Sequence, residues 1–478
     1  MPTRSSRSLA VVVLAAGLGK RLKSSKPKVL HELLGRPVLW YVLQAAQAAK
    51  PSKIVVVVHH AREEVEAAVR SWGITPKPQF VDQRKMLGTG HAVMAGEQAV
   101  GRAHDVLVLP GDEPLVDADQ VKEILGMHRR RDVAAVIQTT VPANARGFAR
   151  VIRDGRGEFV RLAEGSDATK KELAVTEVAT SVYTFRRDAL YGALPLVGRE
   201  NRQREYYLPD VLGILREKGD RIAVQLVDNG GSVGANSRAE MATSSSVLQQ
   251  RINERHMAAG VTFVDPATTF VGPEVRIGPD TVLQPMTFLE GATAIGRDAE
   301  IGPNARLVDS TVGDRSAVQF AVVRESAIGS DVNVGPFASL RPGTVLEDGS
   351  KAGTFVEIKG SRVGSGSKVP HLSYVGDADI GKNVNVGAAT VTVNYDGWDK
   401  HRTVIGDDVK IGSDTMLVAP VEIGSGAMTG AGSVITRNVP AGALGIERSE
   451  QRNVEGFRER KETLQRARGR RARPKGEG

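Results

Sequence analysis

An aliphatic residue returns about every six positions through much of the second half of the chain. The series runs from Val271 to Ile435 with a few slips, and glycine very often follows the aliphatic residue. A six-residue period fits neither an isolated helix nor a hairpin strand. It is typical of a parallel β-helix, in which each short side directs one aliphatic side chain into a narrow core. Glycine is expected at the corners, where φ values that are costly for other residues are needed. We therefore predict a parallel β-helix of hexapeptide repeats over residues 261–446.

The first half of the chain alternates apolar runs with helix-like segments. Leu9–Ala16 is nearly continuously apolar, as in a parallel strand buried on both faces. Further strands are predicted at Ile54–Val58, Val106–Leu109, Ala134–Thr139 and Ile222–Leu226, with helices at Val38–Ala49 and Arg62–Trp72. This alternation predicts a Rossmann-like α/β domain over residues 1–236, whose mostly parallel sheet binds ligands at the carboxyl ends of its strands. A connecting helix is predicted over residues 237–260.

The positive charge is concentrated at the end of the chain. The net charge is +9, and Arg466–Gly478 contributes +5 of it, from six basic residues and one acidic residue. Residues 447–478 are predicted to form a basic, disordered tail. A solvated tail is preferred to an arm for nucleic acid or membrane, because no aromatic residues interleave with the arginines.

Composition excludes some chemistry and suggests a compartment. The chain has no cysteine, which excludes disulfides, thiolate metal sites and cysteine nucleophiles. The apolar run near the start continues into Gly17 and is interpreted as a strand rather than a signal peptide. No stretch approaches the length of a transmembrane helix, and we expect a cytoplasmic protein without membrane or nucleic-acid partners.

The predicted strands are followed by motifs that suit a nucleotide. Small residues after the first strand let backbone N–H groups approach phosphate oxygens, and Lys28 can hold a triphosphate. Gln83 with Gly88-Thr89 suits a flat base, and Asp112 at a strand end can hold Mg²⁺. Each signal is weak alone. A glycine-rich turn is often only a turn, a lone lysine is usually solvated, and an aspartate at a strand end is most often a cap.

Together, and in this order, the motifs resemble those of the sugar-1-phosphate nucleotidyltransferases. With the repeat half attached, the chain resembles the bifunctional N-acetylglucosamine-1-phosphate uridyltransferase/glucosamine-1-phosphate N-acetyltransferase family up to about Arg448. The resemblance implies a left-handed β-helix, and Mg²⁺ held by Asp112 and Asn236. It implies that the nucleotide and sugar are bound by Leu14, Ala15, Ala16, Gly17, Arg21, Lys28, Gln83, Gly88, Thr89, Glu164 and Asn236.

Three departures from the family pattern lie in the first half. Pro110 stands where the family usually has Tyr, and Gly147-Phe148-Ala149-Arg150 replaces Gly-Tyr-Gly-Arg. Ala179-Thr180-Ser181 replaces Asn-Thr-Gly, so an amide that would bond sugar hydroxyls is missing. A lost buried partner costs roughly 1–3 kcal/mol, enough to shift sugar preference.

A polar interruption of the repeat suggests a second active site. His371 is a candidate general base, because the pKa range of histidine suits taking a proton from an attacking amine. A lone histidine is more often structural, and hexapeptide β-helices can be purely structural. Here, however, cationic and polar side chains that can bind a sugar phosphate lie in the same stretch, namely Arg341, Lys359, Tyr374 and Asn385. Asn394–Lys400 breaks the period, as a loop at a binding face does.

The resemblance gives these residues roles. It implies His371 as the base, glucosamine-1-phosphate bound by the four residues just named, and a homotrimer whose acetyl sites are shared between neighbouring copies. Pro370 stands where the family often has Gly. The acetyl-CoA contacts implied are Ala388, Asn394, Tyr395, Ser413, Ala431 and Arg448.

Three hypotheses follow for the whole chain. In the first, the chain makes UDP-N-acetylglucosamine, a precursor for cell-wall biogenesis, from glucosamine-1-phosphate, acetyl-CoA and UTP. In the second, the acetyltransferase is kept but the first domain uses another sugar-1-phosphate. In the third, the chain is a trimeric scaffold with a decayed first domain. The intact Lys28, Asp112 and Asn236 argue against decay, whereas Ala149 and Ala179 indicate some drift.

Overall fold

The structure is a computed structural model that describes residues 7–131, 133–142, 145, 148–164, 168–228 and 234–471, without the side chains of Lys20 and residues 469–471. The chain forms two compact units, Met1–Asp309 and Ser310–Gly478. The first unit includes the initial coils of the repeat, because the helix before them packs on these coils. In that helix, the amides of Gln249 and Asn253 donate to the carbonyl oxygen of Thr269 at 2.9 and 3.0 Å.

A twisted α/β sheet forms most of the first unit. Its path runs β11-β7-β10-β6-β1-β4-β5, with β10 antiparallel to β6 and β7, the other pairs parallel, and β8 pairing with β10 and β9. The nine strands of this sheet are β1 (Leu9–Leu14), β4 (Lys53–Val58), β5 (Gln79–Asp82), β6 (Asp105–Pro110), β7 (Ala135–Thr140), β8 (Arg150–Arg153), β9 (Phe159–Ala163), β10 (Val178–Arg186) and β11 (Ile222–Leu226). A separate two-stranded sheet consists of β2 (Glu32–Leu33) and β3 (Arg36–Pro37).

Helices cover both faces of this sheet. They are α1 (Val38–Ala48), α2 (Arg62–Ser71), α3 (Thr89–Ala95), α4 (Glu97–Val100), α5 (Ala118–Arg130), α6 (Lys170–Leu173), α7 (Arg187–Ala193), α8 (Asp210–Glu217) and α9 (Arg238–Ala258), with 3-10 turns at Lys20–Leu22, Lys28–Leu30 and Leu194–Leu196. β1 is buried on both faces, since Ala10 and Val12 enter one core cluster while Val11 and Val13 enter another. The predicted strands and helices are confirmed to within two residues at each end.

The repeat forms triangular coils of short parallel strands. In the first unit these strands are Thr262–Phe263, Phe270–Val271, Arg276–Ile277, Val282–Leu283, Phe288–Glu290, Ala294–Ile295, Glu300–Ile301 and Arg306–Val308. Within this unit, each of the first five pairs with the strand three places later in the chain, for example Val271 with Leu289 and Leu289 with Leu307. The predicted inward aliphatic residues are buried, except that Ile277 is only partly buried.

The second unit contains three parallel sheets, here called A, B and C. Sheet A holds Ala317–Val318, Asn333–Val334, Lys351–Thr354, Lys368–His371, Asn385–Val386, Lys410–Ile411, Met428–Thr429 and Leu444–Gly445. Sheet B holds Ala321–Arg324, Ala338–Leu340, Glu357–Lys359, Tyr374–Gly376, Val391–Val393, Met416–Val418 and Val434–Ile435. Sheet C holds Thr311–Val312, Ala327–Ile328, Val345–Leu346, Arg362–Val363, Ala378–Ile380, Thr403–Ile405 and Val421–Ile423.

The repeated glycines serve close packing between coils rather than positive φ. Among those of the predicted series, only Gly302 and Gly335 have positive φ in the described structure, so the conformational expectation is wrong for the others. A Cβ on Gly278 would lie 2.6 Å from the carbonyl oxygen of Gly296 in the next coil. The left-handed position instead comes two residues later, often at Asp or Asn, which tolerate it.

The basic tail contains a helix. Phe457–Arg471 form α10, so the prediction of disorder is wrong for this segment, whose described side chains are exposed. Arg, Lys, Glu, Gln, Leu and Ala favour helix locally, which the low apolar content obscured. Residues 472–478 of the predicted tail lie outside the described residues. In the described part of the chain, no helix has the length and apolar character needed to span a membrane.

Candidate active sites

A cavity of about 390 Å³ lies at the carboxyl ends of the parallel strands in the first unit. Nine predicted nucleotide or metal residues line it, namely Leu14, Ala16, Gly17, Lys28, Gln83, Gly88, Thr89, Asp112 and Asn236. Ala15 is buried beside it and donates its N–H to the carbonyl oxygen of Val57 at 2.8 Å. Arg21 is exposed and does not line the cavity. The structure therefore brings most of the predicted set together from distant parts of the sequence.

In this cavity, two side-chain oxygen atoms contact the ammonium group of Lys28. The Nζ atom of Lys28 forms an ion pair with Oδ2 of Asp112 and donates to Oδ1 of Asn236 at 2.6 Å. The N–H of Ala235 also donates to the carbonyl oxygen of Asp112 at 2.8 Å, which ties the segment before α9 to the end of β6. A carboxylate oxygen and an amide oxygen are donors that Mg²⁺ accepts, so this pair fits the implied metal.

The start of α9 fixes the position of Asn236. Ser237 caps the helix, and Oε2 of Glu240 accepts the backbone N–H groups of Asn236 at 2.8 Å and of Ser237 at 3.0 Å. This reciprocal capping satisfies donors that a helix end otherwise leaves unpaired. Asn236 therefore enters the cavity from a rigid helix start.

Glu113 lines the same cavity and was not singled out by the sequence. Burial first, and then the neighbouring Asp112 carboxylate, raise the pKa of Glu113 well above its usual range. Its only sequence signal was its place directly after Asp112 at a strand end. Whether such a side chain is buried or exposed depends on tertiary packing, which the local sequence does not reveal.

The predicted base-binding loop is held by hydrogen bonds to a second segment. Nε2 of Gln83 donates to the carbonyl oxygen of Gly88 at 3.0 Å, and the hydroxyl of Thr89 accepts the N–H of Leu208 at 3.0 Å. Gly88 has φ 102° and a Cβ there would lie 2.6 Å from the carbonyl oxygen of Tyr206. The glycine is needed both for its conformation and for this close approach.

A second cavity of about 200 Å³ adjoins the first. The two share the lining residues Leu14, Thr89, Ser181 and Glu205, and the second also contains Glu164, Tyr183, Gln203 and Tyr207. The departures from the family pattern lie here or close by. Ala179 is buried in β10, Phe148 and Pro110 line the first cavity, and Ala149 packs against the core. Gly147 and Gly165 of the motifs lie outside the described residues.

The second unit aligns the other predicted residues along one corner of successive coils. His371 ends a strand of sheet A and pairs in register with Thr354 of the preceding coil. Ala388 and Ser413 lie at the same corner of the next two coils. The N–H of Asp414, the residue after Ser413, donates to the carbonyl oxygen of Ala388 at 2.7 Å. The carbonyl oxygen of Ser413 in turn accepts the N–H of Gly432 at 2.8 Å, which places Ala431 in the next coil.

Arg448 completes this line, since its Nη1 donates to the carbonyl oxygen of Ala431 at 3.0 Å. The imidazole of His371 is exposed, and the Pro370 that precedes it lies inside the strand Lys368–His371. The line from His371 to Arg448 is a continuous surface of small residues and backbone, which suits an extended ligand.

Cationic residues cluster on sheet B. Arg341 and Lys359 follow each other on adjacent coils, and Tyr374 begins the next strand of that sheet. The ring of Tyr374 lies against Gly376, where a Cβ would be 2.5 Å from the tyrosine hydroxyl. Asn385 and His371 lie on sheet A. Within one chain, the four predicted glucosamine-1-phosphate residues therefore lie on two faces of the coil.

Asp377 organises this cluster. It accepts hydrogen bonds from Nζ of Lys359 at 3.0 and 3.1 Å and from Nδ2 of Asn394 at 2.5 Å. Burial alone would raise the pKa of Asp377, but the bonds from Asn394 and Lys359 hold it below its usual range. The bond to Asp377 likewise raises the pKa of Lys359. The amide of Asn394, predicted to contact acetyl-CoA, is thus engaged within the chain.

The insertion after Asn394 is an ordered loop. Oδ1 of Asp396 accepts the N–H groups of Trp398 and Asp399 at 2.8 Å, and its Oδ2 lies 2.7 Å from Nε2 of His401. Tyr395, predicted to contact acetyl-CoA, is exposed, with its hydroxyl bound to the carbonyl oxygen of Gly397 at 2.7 Å. The loop is therefore a surface at the edge of the coil that internal hydrogen bonds hold in place.

Comparisons with known proteins match both halves. A MobA-like NTP transferase domain model matches residues 11–170, and a bacterial transferase hexapeptide (six repeats) model matches residues 402–437. The latter is consistent with the left-handed parallel β-helix. A solved UDP-glucose pyrophosphorylase complexed with UDP-glucose covers 51% of this chain and 99% of its own at 16% identity, with a TM-score of 0.43, too low to support an inference.

Relatives match nearly the whole chain. A "Bifunctional protein GlmU" from Thermoanaerobacter pseudethanolicus is 44% identical over 449 residues, covering 94% of this chain and 97% of the relative. Proteins of the same name are 44% identical in Streptomyces avermitilis, covering 95% of each chain, and 45% identical in Nocardia farcinica, covering 94% of this chain and 92% of the relative. The chain therefore belongs to the family of bifunctional GlmU proteins, and it is a glucosamine-1-phosphate N-acetyltransferase and an N-acetylglucosamine-1-phosphate uridylyltransferase.

Proposed function

We propose that the cavity of the first unit is the Mg²⁺-dependent uridylyltransferase site and that the corner line from His371 to Arg448 is part of the acetyltransferase site. The observation that carries the first assignment is the convergence of Lys28, Asp112 and Asn236. Acetylation comes first, because its product, N-acetylglucosamine-1-phosphate, is the acceptor of the second reaction.

In uridylyl transfer, a phosphate oxygen of the sugar-1-phosphate forms a bond to the α-phosphorus of UTP. The bond from that phosphorus to the bridging oxygen breaks, and pyrophosphate leaves with the electron pair. Lys28 holds phosphate oxygens, while Asp112 and Asn236 would hold Mg²⁺, which when bound neutralises phosphate charge. The backbone around Leu14–Gly17 and the Gln83–Thr89 loop orient the nucleotide. Positioning and charge stabilisation are the main contributions of the protein to such a reaction.

In acetyl transfer, the amine of glucosamine-1-phosphate attacks the thioester carbonyl of acetyl-CoA. A carbon–nitrogen bond forms, the carbon–sulfur bond breaks, and coenzyme A leaves as the thiolate. His371 accepts the proton that the amine loses and returns it to the leaving sulfur, which gives the thiol. Arg341 and Lys359 hold the sugar phosphate by charge-assisted hydrogen bonds, with Tyr374 and Asn385 beside it. Ala388, Ser413, Ala431 and Arg448 contact acetyl-CoA, together with the Asn394-Tyr395 loop.

We propose a homotrimer, supported by an exposed apolar ladder beside His371. Phe320, Phe337 and Phe355 follow one another along one corner, with ring centroids 5.4 and 5.3 Å apart. The first pair is tilted and the second is stacked, and Leu372 continues the line. Phe337, Phe355 and Leu372 are 56%, 58% and 64% exposed. A contiguous apolar surface of this kind is typical of a protein interface. A neighbouring copy that covers it would also complete the phosphate site, whose residues lie on two faces of one chain.

We place the enzyme in the cytoplasm, where its co-substrates UTP and acetyl-CoA are available. UDP-N-acetylglucosamine made there would serve cell-wall, peptidoglycan and lipopolysaccharide synthesis.

The uridylyltransferase assignment is tested by pyrophosphate release. The full-length protein is incubated with UTP, Mg²⁺ and a panel of sugar-1-phosphates, with Lys26→Ala as the matched control for Lys28→Ala, because Lys26 pairs with Glu32 on the surface. We expect release with N-acetylglucosamine-1-phosphate, a loss of about 10²-fold or more in Lys28→Ala, and little change in Lys26→Ala. Full activity of Lys28→Ala would contradict the assignment.

A further inference from the structure

The two adjoining cavities of the first unit meet at a serine. Ser181 lines both, as do Leu14, Thr89 and Glu205. Lys28, Asp112 and Asn236 lie in the first cavity, and Glu164 and Tyr183 in the second. A sugar-1-phosphate that reaches the phosphate-binding side of the first cavity with its ring in the second passes directly over Ser181.

The backbone at Ser181 is in a conformation that favours glycine. β10 has an irregularity between Ala179 and Tyr183 in its pairing with β7, and Ser181 within it has φ 63°. No other non-glycine residue inside a described strand has positive φ. A side chain with a Cβ is strained there, whereas glycine is not. Backbone strain of this kind is concentrated at functional sites.

The side chain of Ser181 is exposed beside the cavities. Tyr183, two residues later in the same strand, is fully buried. Burial, and then the Glu164 carboxylate, raise the pKa of Tyr183, so its phenol stays protonated. A serine hydroxyl has one donor and two acceptor positions. In Ser181, which lines both cavities, these positions can be offered to a bound ligand.

Ser181 is also the polar group that this stretch of β10 presents to the cavities. Ala179 is buried and carries no polar side-chain atom, and the hydroxyl of Thr180 is turned inward to Gln138 at 3.0 Å. Sugar rings are recognised through hydrogen bonds to their hydroxyl groups, and a site built with such a partner discriminates against the analogue that lacks it.

We propose that Ser181 is a specificity-determining residue of the uridylyltransferase site, whose hydroxyl binds a ring hydroxyl or the acylamino group of the sugar-1-phosphate. The proposal rests on the proposed function of the first cavity. In this role Ser181 touches the acceptor sugar.

The test compares Ser181→Gly and Ser181→Ala with the wild-type protein in pyrophosphate release. Both variants should raise KM for N-acetylglucosamine-1-phosphate by about 5- to 10-fold while KM for UTP changes by less than about twofold. Ser181→Gly should not lower Tm, because glycine adopts this φ freely.

Deoxy analogues of the sugar-1-phosphate identify the group that is bound. Wild-type enzyme should lose activity when that group is removed, and Ser181→Gly should be insensitive to the same removal, as a double-mutant cycle requires. Lys50→Gly is the matched control, since Lys50 has φ 50° on the surface after α1 and no place in the site.

Two outcomes are distinguishable. An unchanged sugar KM in Ser181→Gly, from an enzyme whose wild type is active, overturns the role of Ser181 and leaves the uridylyltransferase site standing. A wild-type protein that releases no pyrophosphate from UTP and N-acetylglucosamine-1-phosphate overturns the proposed function itself, and the proposal with it.

Discussion

At the residue scale, the two sites differ in what already engages their key side chains. Lys28 is bound by Asp112 and Asn236, whereas His371 presents an exposed imidazole at the end of its strand. The ammonium group of Lys28, held between two oxygen atoms, marks a position where phosphate oxygens and a metal ion can bind. An exposed imidazole beside a line of small residues is free of packing constraints on its ring and suits proton transfer.

Replacement of His371 by alanine should abolish acetyl transfer, by a factor of about 10² or more, because the attacking amine loses its base. Uridylyl transfer by the same variant should remain, and the subunit composition should not change. The measurement is coenzyme A release with glucosamine-1-phosphate and acetyl-CoA. His60→Ala, at an exposed histidine of the first unit, is the control. Acetylation near the wild-type rate in His371→Ala would refute the assignment.

At the element scale, periodicity predicted the architecture but not the reason for its glycines. The six-residue pattern predicted the coils, and the apolar run of β1 predicted a strand buried on both faces. The packing of one coil on the next depends on residues 16 to 18 positions apart, or 25 across the insertion, which the local pattern does not pair. For the same reason the sequence did not reveal that Asn394 binds Asp377, or that Glu113 is buried.

The spacing between coils along the corner line from His371 to Arg448 should depend on Gly387. A Cβ there would lie 2.4 Å from the backbone nitrogen of Ser413, so Gly387→Ala must push two coils apart. We expect a lower Tm and a raised KM for acetyl-CoA, because Ala388 and Ser413 lie on those coils. Gly213→Ala in α8, where a Cβ meets nothing within 4 Å, is the control and should leave both values unchanged or raise Tm. A normal KM in Gly387→Ala would show that the line does not bind acetyl-CoA.

The Asp377 cluster ties strands of three coils and should make the second unit acid-sensitive. The folded pKa of Asp377 lies below its unfolded value of about 3.9, so its contribution to stability is present above that pH and is lost as the pH falls towards the folded pKa. In urea unfolding, the difference between wild type and Asp377→Asn should therefore shrink as the pH falls from 6 to about 3. Asp399→Asn, in the exposed loop, serves as the control. A difference that does not vary with pH would contradict this account.

At the scale of the whole molecule, the two reactions make different demands on the chain. The cavity of the first unit gathers its residues within one copy, from the ends of β1, β5 and β6 and the start of α9. The residues proposed for acetyl transfer instead follow a corner and two faces of a narrow coil. A neighbouring copy in the proposed trimer would give this surface a second wall that excludes water from the thioester.

Assembly should therefore depend on the phenylalanine ladder and should control one activity only. Phe337→Glu with Phe355→Glu places two charges in the apolar line, where burial against a neighbour is costly for an unpaired carboxylate. We expect light scattering on the eluting protein to show monomers, with acetyl transfer lost and uridylyl transfer retained, since the cavity of the first unit is complete in one chain. Val404→Glu, at an exposed apolar position on sheet C, is the matched control and should stay trimeric. A trimeric double variant would place the interface elsewhere, and a monomer with normal acetyl transfer would show that one copy holds the whole site.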